Sequence, residues 1–421
     1  MKLDLYFLLG GISTALCSSL EAWQTALPNR YIVSLKAGLS ATDTEGHLNW
    51  VRDVHQRRSL RRRDISGVER TFDIGGFHAY AGSFDGDTLA EIESSEVVER
   101  VEPDFPIHPF ELVSQPNATW GLGAISSVAP VDSNASLRDG FEYRYYADGG
   151  AGTFAYVIDT GVWVENPDFE GRAELGYTVY PDIPFEDSTG HGTHVAGTIA
   201  SKTWGVAKKA RVIAVKVIAP GQGVMSDFME GFSWAVNNIT AIPGRAAISV
   251  INMSLGASAP EVTKMRRRLT EDQGGPTNWA FNNLVHAASE QGILSVVSAG
   301  NAGVDVNRVS PAGTSSAITV AASAANNTVW SYSNFGSKVD LYAPGVDVHS
   351  LSLEAGKDVA LTGTSMSAPH VSGLVLYLKS TESGLESVET VTARILELCK
   401  NDVVVGVPEF TPNLLAYNGV A

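Results

Sequence analysis

The chain has 421 residues, of which 44% are hydrophobic and 18% are charged, and its formal net charge is −16 at pH 7. This composition is typical of a globular protein and excludes a largely disordered one, and the length allows a sizeable core in more than one domain. The acidic balance argues against a nucleic-acid-binding protein, which normally carries a basic face.

The first element in the chain is a predicted leader. Met1 and Lys2 precede an apolar run from Leu5 to Leu16, and small residues follow, as in a secretory signal peptide. We therefore expect residues 1–19 to be removed and the protein to be secreted to the extracellular space. No later run reaches the roughly 18 apolar residues that a membrane span needs, so no membrane association is expected. Loss of Cys17 would leave Cys399 as the one cysteine, without an internal disulfide.

A small separate domain is predicted at about residues 30–105. The predicted elements are strand 30–35, helix 45–63, strands 69–74 and 77–84, helix 88–94 and strand 97–101. This βαββαβ order indicates a ferredoxin-like α+β domain. The basic runs Arg57–Arg58 and Arg61–Arg63 fit either a solvated helix end or a processing signal.

A linker is predicted next, because Pro106, Pro109 and Pro116 discourage regular structure. We place the domain boundary inside it, so that residues 20–113 precede a second domain at 114–421. In that second domain apolar runs alternate with helical patterns, which predicts an α/β fold with a doubly wound parallel sheet. The predicted strands include residues 155–158, 212–217, 250–253, 294–297 and 317–320.

Three stretches of the second domain carry residues suited to chemistry. Asp159 ends an apolar strand, at the edge where open α/β sheets place their sites. His191 begins a helix of small residues that also contains His194. Ser365 precedes the apolar run from Val371 to Leu378, and with Pro369 in the first turn it would lie at a helix N-terminus.

Taken singly, these residues have simpler interpretations. Ser365 or Asp159 could cap a helix. His191 and His194 could be surface residues or metal ligands, although the HExxH pattern is absent. Taken together, they supply a serine nucleophile, a base for its proton and a carboxylate to orient the base.

The chain resembles the subtilisin family of serine proteases, and within it the proteinase K branch. The matching segments are 157–161, 190–200, 204–210, 252–256, 298–301, 331–336, 363–370 and 413–418. The resemblance covers nearly everything after about residue 118 and keeps the chain order Asp, His, Ser. It implies a serine endopeptidase with Asp159, His191 and Ser365 as the catalytic triad. It also implies that Asn301 donates to the oxyanion, whereas without the resemblance Asn301 would be assigned to a turn.

The resemblance also implies how substrate binds. Two stretches would flank the substrate backbone as an added strand, with their glycines leaving room for the residue before the cut: Ser254, Leu255 and Gly256, and Ser298, Ala299 and Gly300. We expect protein and peptide substrates and a broad preference for apolar or aromatic residues.

The domain at 30–105 resembles the inhibitor-type propeptide of such proteases. It would assist folding and then act as an intramolecular inhibitor until it is cut off. We therefore expect a self-processing zymogen that is cut between about Glu111 and Asn117, and a monomeric mature enzyme.

Some positions depart from the family pattern. Ala324 stands where the resemblance leads us to expect an aspartate that binds calcium, so structural calcium could bind but no site is assigned. No cofactor is expected to be required, and no metal ligand is assigned. The segment 264–278 is predicted to be an inserted surface loop. Glycosylation sequons occur at Asn117, Asn134, Asn238 and Asn326, and that of Asn252 lies in a strand predicted to be buried.

Two other classes of function stay open from the residues alone. A serine esterase or lipase is disfavoured because no Gly-x-Ser-x-Gly motif surrounds Ser365. A non-catalytic binding protein is disfavoured by the joint presence of the triad residues and Asn301. Ester cleavage without peptide cleavage would indicate the first, and failure to react with a fluorophosphonate the second.

Overall fold

A computed structural model describes residues 29–58, 66–104, 111–221, 223–255 and 278–420. The chain divides into two compact units, residues 1–109 and 110–421. The predicted signal peptide, Gly256, the arginines at 61–63 and nearly all of the predicted loop 264–278 lie outside the described residues. Within the described ranges, no helix is long and apolar enough to cross a membrane.

The first unit is the small α+β domain that the sequence predicts. Its elements are β1 (Arg30–Leu35), α1 (Ala41–Arg58), β2 (Gly67–Ile74), β3 (Phe77–Ser83), α2 (Gly86–Glu93) and β4 (Val98–Pro103). The sheet order is β2-β3-β1-β4 with antiparallel neighbours, which confirms the ferredoxin-like prediction.

Alternating residues explain why this sheet has one buried face. In β1, Val33 and Leu35 point to the core, where they pack with Val51 of α1 and Tyr80 of β3. The β2–β3 hairpin turns at Gly75–Gly76, and both glycines have the positive φ that a tight hairpin turn requires.

The second unit is the larger one and contains the main sheet. Its strands are β5 (Leu112–Ala118), β6 (Phe141–Tyr146), β7 (Phe154–Asp159), β8 (Ala173–Thr178), β9 (Arg211–Lys216), β10 (Ser249–Met253), β11 (Leu294–Ser298), β12 (Ile318–Ser323), β13 (Leu341–Pro344), β14 (Val348–Leu351), β15 (Asp358–Leu361), β16 (Lys400–Asn401) and β17 (Leu414–Leu415). Its helices are α3 (Trp120–Ser126), α4 (His191–Ala200), α5 (Met225–Thr240), α6 (Trp279–Glu290), α7 (Thr364–Thr381) and α8 (Val388–Leu398).

The main sheet has the order β16-β17-β13-β12-β11-β10-β7-β9-β8, and its strand pairs are parallel except β16 with β17. Strand β7 lies between β9 and β10, so the chain leaves it in one direction and later returns on its other side. This reversal is a topological switch point, where open α/β sheets form their sites. The predicted doubly wound parallel sheet is confirmed.

Helices cover both faces of this sheet, which is why its central strands are largely apolar. All six residues of β7 are buried. Phe154, Tyr156 and Ile158 share one core with residues of α5 and α6, while Ala155 and Val157 share the other with residues of α4 and α7. Tight burial on both sides fixes the ends of these strands and the residues that follow them.

One sequence prediction about the linker is wrong. Residues 105–110 are outside the described part, but Leu112–Ala118 forms strand β5, which pairs antiparallel with β6 despite Pro116. The register shifts between Gln115 and Ala118, where Asn117 adopts a positive φ. A proline is tolerated in such an irregular edge position because its missing N–H breaks no ladder bond there.

Candidate active site

The carboxylate of Asp159 lies at the end of β7 and is completely buried. Its Oδ1 accepts hydrogen bonds from Thr160 N at 2.8 Å and from His191 Nδ1 at 2.7 Å. A buried carboxylate that accepts from Nδ1 leaves His191 Nε2 as the nitrogen available to a substrate or nucleophile. The structure therefore brings two of the predicted triad residues into direct contact.

His191 is the first residue of α4, and it follows Gly190 in the left-handed conformation. Helix α4 can start this close to β7 because its second residue is Gly192. A Cβ at that position would lie 2.0 Å from the Gly161 carbonyl oxygen and 3.1 Å from the Asp159 Cβ. The small residue thus permits the approach that joins His191 to Asp159.

Opposing effects set the acidity of His191. Burial lowers its pKa, whereas the charge and hydrogen bond of Asp159, together with the charge of Asp187, raise it, and the net result is a raised pKa. The neighbouring carboxylates therefore stabilise the imidazolium form, which a general base must pass through.

Ser365 is the second residue of α7, so the predicted helix N-terminus is observed. The predicted position of Pro369 is wrong, because the helix begins at Thr364 and Pro369 lies inside it. Pro369 has no N–H, so the Ser365 carbonyl oxygen lacks the bond that residue 369 would otherwise donate to it. The backbone N–H of Ser365 belongs to the first turn and has no intrahelical acceptor.

Helices α4 and α7 pack on the same face of the sheet. A Cβ at Gly373 of α7 would lie 3.3 Å from the Ile199 carbonyl oxygen of α4, so the two backbones approach closely. Among the described residues, Ser365 Oγ makes no hydrogen bond to His191. Its role as the third triad member stays a prediction, and catalytic hydrogen bonds are often long before substrate binds.

The predicted oxyanion donor Asn301 contacts the start of α7. Its Oδ1 accepts from Thr364 N at 2.9 Å and from Thr364 Oγ1 at 2.7 Å. Because the amide oxygen is held by Thr364, the Nδ2 group is the end left to donate elsewhere. A Cβ at Gly363 would lie 3.2 Å from this Nδ2, which places the amide beside the residues before Ser365. Thr364 was not identified from the sequence, although it adjoins Ser365.

The stretch Ser298–Gly300 ends β11 and is engaged by its own chain. Ala299 N donates to Val320 O, and Ala299 O accepts from Asn334 Nδ2 at 2.8 Å. Gly300 N donates to Thr364 Oγ1 at 3.0 Å, and Gly300 O accepts from Asn334 N at 2.9 Å. The backbone N–H and C=O groups of Ala299 and Gly300 are therefore engaged within the chain, and the pairing of this stretch with substrate stays a prediction.

Gly300 is needed for an internal reason. Its φ is +102°, and a Cβ would lie 2.4 Å from Asn334 Nδ2. Asn334 Oδ1 also accepts from Ala302 N at 3.1 Å and Val304 N at 3.0 Å, so it holds both sides of Asn301. Asn334 is a second residue that sequence reasoning missed, although it lies in a segment that resembles the family.

The other predicted substrate stretch begins after β10. Ser254 is buried and Leu255 is half-buried. Ser254 Oγ accepts from Asn252 Nδ2 at 3.0 Å, and Asn252 Oδ1 accepts from Ser372 Oγ of α7 at 2.8 Å. Met253 pairs with Val297, so both predicted stretches leave the sheet at the same edge.

His194 does not join His191 in a metal site. Its Nε2 donates to Val348 O at 2.9 Å and Val359 O at 3.2 Å, and burial lowers its pKa to about 3. Across the described ranges, no group of three or more His, Cys, Asp or Glu side chains is arranged to hold a metal ion. We assign no calcium site.

Comparisons with known proteins agree with this geometry. A family profile described as Subtilase family matches residues 150–406, and one described as Peptidase inhibitor I9 matches residues 30–109. Subtilisin-like proteinase Mp1 of Magnaporthiopsis poae is 47% identical over 98% of this chain and 97% of that protein. Alkaline protease 1 of Aspergillus flavus is 42% identical over 94% of this chain and 93% of its own length. A solved cold adapted subtilisin-like serine proteinase matches 72% of this chain and 98% of its own with a TM-score of 0.58 and 33% identity.

Proposed function

The chain belongs to the subtilase family of serine proteinases and carries an N-terminal inhibitor I9 domain, and on that basis we propose that it is a secreted endopeptidase made as a self-processing zymogen. The observation that carries the proposal is the 2.7 Å bond between His191 Nδ1 and the buried Asp159 at the switch point of the sheet. The helix that presents Ser365 packs on the same face of that sheet.

In the proposed acylation step, Ser365 Oγ attacks the carbonyl carbon of the scissile peptide bond. Its proton passes to His191 Nε2, and Asp159 stabilises the imidazolium that forms. His191 then donates that proton to the leaving nitrogen as the C–N bond breaks. A water molecule repeats the sequence on the acyl-enzyme, which releases the second product and restores Ser365.

The negative oxygen of the tetrahedral intermediate would be bound by two donors. One is the backbone N–H of Ser365 at the positive end of α7, and the other is Asn301 Nδ2. Support for the second comes from the two hydrogen bonds through which Thr364 fixes the amide oxygen. A fixed donor needs little reorganisation when charge develops, which is the condition for effective oxyanion stabilisation.

For substrate binding we propose that Ser254–Gly256 pairs with the substrate backbone and that Ser298–Gly300 lines the pocket for the residue before the cut. The second assignment follows from the internal hydrogen bonds of Ala299 and Gly300. We keep the expectation of a broad apolar or aromatic preference, which a library of peptide anilides varied at that position would test.

The I9 domain suggests how activity is controlled. We propose that it inhibits its own catalytic domain until the bond between about Glu111 and Asn117 is cut. Strand β5 already holds Leu112–Gln115 extended, the conformation in which peptides pair with protease edges. Its sheet has two strands, so one edge of β5 has no neighbour within that sheet.

Secretion and glycosylation belong to the same proposal. Asn117, Asn134 and Asn326 are exposed and remain candidate glycosylation sites. Asn252 is completely buried, and we exclude it as a site. Asn238 is half-buried in α5 and accepts a bond from Tyr156 OH at 2.7 Å, so we also expect it to be unmodified.

The experiment that tests the proposal compares the secreted wild-type protein with Ser365→Ala by intact mass and N-terminal sequencing. We expect a wild-type N-terminus near Ser114, labelling of Ser365 by a fluorophosphonate, and an unprocessed variant. Identical processing of both proteins, with no labelling and no peptide cleavage, would contradict the proposal.

A further inference from the structure

A second buried carboxylate lies just before α4. Asp187 is 5% exposed and accepts six hydrogen bonds. Its Oδ2 accepts from Thr193 N at 2.9 Å and Thr193 Oγ1 at 2.7 Å. Its Oδ1 accepts from Gly190 N at 2.9 Å and from Thr189 N at 3.0 Å and Oγ1 at 3.1 Å. These bonds fix the turn that delivers His191 and the first turn of its helix.

One further bond connects Asp187 to the catalytic strand. Thr160, which follows Asp159, donates its hydroxyl to Asp187 Oδ1 at 2.9 Å and accepts Gly192 N at 3.0 Å. The backbone N–H of Thr160 donates to Asp159 Oδ1 at 2.8 Å. Thr160 directly follows Asp159, and Gly192 directly follows His191. The Thr160–Gly192 bond is therefore a second link between the same two segments, beside the Asp159–His191 bond.

The charges around this network come from several elements. Asp159 lies on β7, Lys216 on β9, and His191 and His194 on α4, while Glu186 precedes Asp187 in the loop. Lys216 is buried, and its Nζ donates to Thr160 O at 2.6 Å and Glu186 O at 3.1 Å. The ammonium group thus holds the strand end and the loop together.

The protonation state of Asp187 agrees with these contacts. Burial raises its pKa, but the hydrogen bonds from Thr193, Gly190 and Thr189 outweigh burial and lower it. The resulting negative charge adds to that of Asp159 in raising the pKa of His191.

We propose that Asp187 is a positioning residue of the Asp159–His191 pair, which acts by locking the start of α4 to the end of β7 through Thr160. The proposal rests on the proposed function, because it concerns the same site. A residue that only caps α4 would need the bonds to Thr193 and Gly190. The bond to Thr160 goes beyond that role, because it ties the cap to the strand that carries Asp159.

The test uses mature enzyme from the full-length precursor and compares Asp187→Asn, Thr160→Val and Thr160→Ser with wild type. Asp187→Asn removes the charge and keeps one acceptor oxygen, whereas Thr160→Val removes the connecting hydroxyl without changing charge. Asp168→Asn is the matched control, because Asp168 also accepts a Thr N at 2.9 Å and Oγ1 at 2.7 Å, from Thr203, away from this network. The readouts are kcat, KM and the pH dependence of kcat/KM on a peptide anilide, and Tm in the Ser365→Ala background.

We expect Asp187→Asn to lower kcat by about 10²-fold with little change in KM, because a misplacement of about 1 Å can have that effect. The acid limb of kcat/KM in this variant should move to lower pH, since one of the charges that raise the pKa of His191 is lost. Thr160→Val should lower kcat without moving the acid limb of the kcat/KM profile. Thr160→Ser keeps the hydroxyl and should restore kcat.

Wild-type kcat and an unmoved limb in Asp187→Asn, with only Tm reduced, would overturn the inference. If Asp187→Asn does not accumulate, the threonine pair decides, and equal kcat values for Thr160→Val and Thr160→Ser would overturn it. A wild-type protein that neither cleaves peptides nor reacts with a fluorophosphonate would instead refute the proposed function, independently of Asp187.

Discussion

Replacing Asp159 by asparagine isolates the contribution of its charge. Asp159 Oδ1 accepts two N–H groups, from Thr160 N at 2.8 Å and His191 Nδ1 at 2.7 Å. An asparagine satisfies both donors only with its amide oxygen in that position. We therefore expect Asp159→Asn to keep the tautomer and orientation of His191 and to lose only the negative charge.

The size of the effect follows from the geometry of the pair. In the proposed acylation step His191 becomes an imidazolium, and two unit charges about 4 Å apart attract by about 4 kcal/mol at an effective dielectric constant of about 20. At about 1.36 kcal/mol per factor of ten, the loss is about 10³-fold in kcat. Asp159→Ala also removes the orienting bond, and we expect about 10⁴-fold or more, as in subtilisin when this carboxylate is removed.

The pH profile gives an independent readout of the same substitution. Burial lowers the pKa of His191, and the carboxylates raise it. Without the Asp159 charge the effect of burial weighs more, so the pKa falls. Because the neutral imidazole is the base, the acid limb of kcat/KM should move to lower pH in Asp159→Asn.

The assay is peptide anilide hydrolysis between about pH 5 and 10. The acid limb of the wild-type profile should report the raised pKa of His191. Variant precursors are matured by affinity-tagged wild-type enzyme, which is then removed. Fluorophosphonate titration of the active serine measures any wild-type carry-over. Equal losses in Asp159→Asn and Asp159→Ala would refute the argument that Thr160 enforces the tautomer. A loss below tenfold in both would refute Asp159 as the partner of His191.

Three further predictions follow from other contacts. Asn301→Leu should lower kcat about 10²–10³-fold with little change in KM in anilide kinetics, since the oxyanion forms only after substrate binds. Gly192→Ala should yield no mature enzyme on gels, because its Cβ would lie 2.0 Å from the Gly161 carbonyl oxygen. Burial lowers the pKa of His370 to about 4, so its contribution to stability is present above about pH 6.5 and is lost as pH falls towards 4. In the Ser365→Ala background, His370→Gln should reduce the difference in free energy of unfolding between pH 7 and pH 4.5 by roughly 2 kcal/mol, as measured by denaturant unfolding.

Controls separate these effects from general damage. Thr364→Val removes one of the two bonds that hold the Asn301 amide oxygen and also the acceptor of Gly300 N, so a loss of about tenfold or more is expected. Gly46→Ala should mature normally, because nothing lies within 4 Å of the added Cβ. A KM effect in Asn301→Leu, active Gly192→Ala, or equal pH dependence with and without His370 would contradict the respective prediction.

The sequence predicts best those features that rest on local patterns. The first five residues of β7 form an unbroken apolar run because both faces of the strand are covered, and Asp159 ends that run as the last residue of the strand. The helix starts at His191 and near Ser365 follow from the small or apolar residues after them. The ferredoxin-like domain follows from alternation and from Gly75–Gly76.

Other features depend on partners distant in sequence, which leave no local signal. Thr364 meets Asn301, Asp187 meets Thr160, and Asn334 meets Ala299 only because the sheet brings their loops together. The errors have the same origin. Pro369 is tolerated inside α7 because tertiary packing outweighs the local preference of proline, and Pro116 is tolerated in β5 because the register shift there leaves its missing N–H without a ladder bond.

The tail of the chain completes the fold. Ala416 N donates to Tyr342 O at 2.9 Å beside β13, and Asn418 bonds both Ile125 O and Arg144 O at 2.7 Å. During synthesis these tail residues emerge only after every predicted catalytic residue has been made. A growing polypeptide that has not reached residue 416 therefore lacks the hydrogen bonds that tie this segment to Tyr342, Ile125 and Arg144.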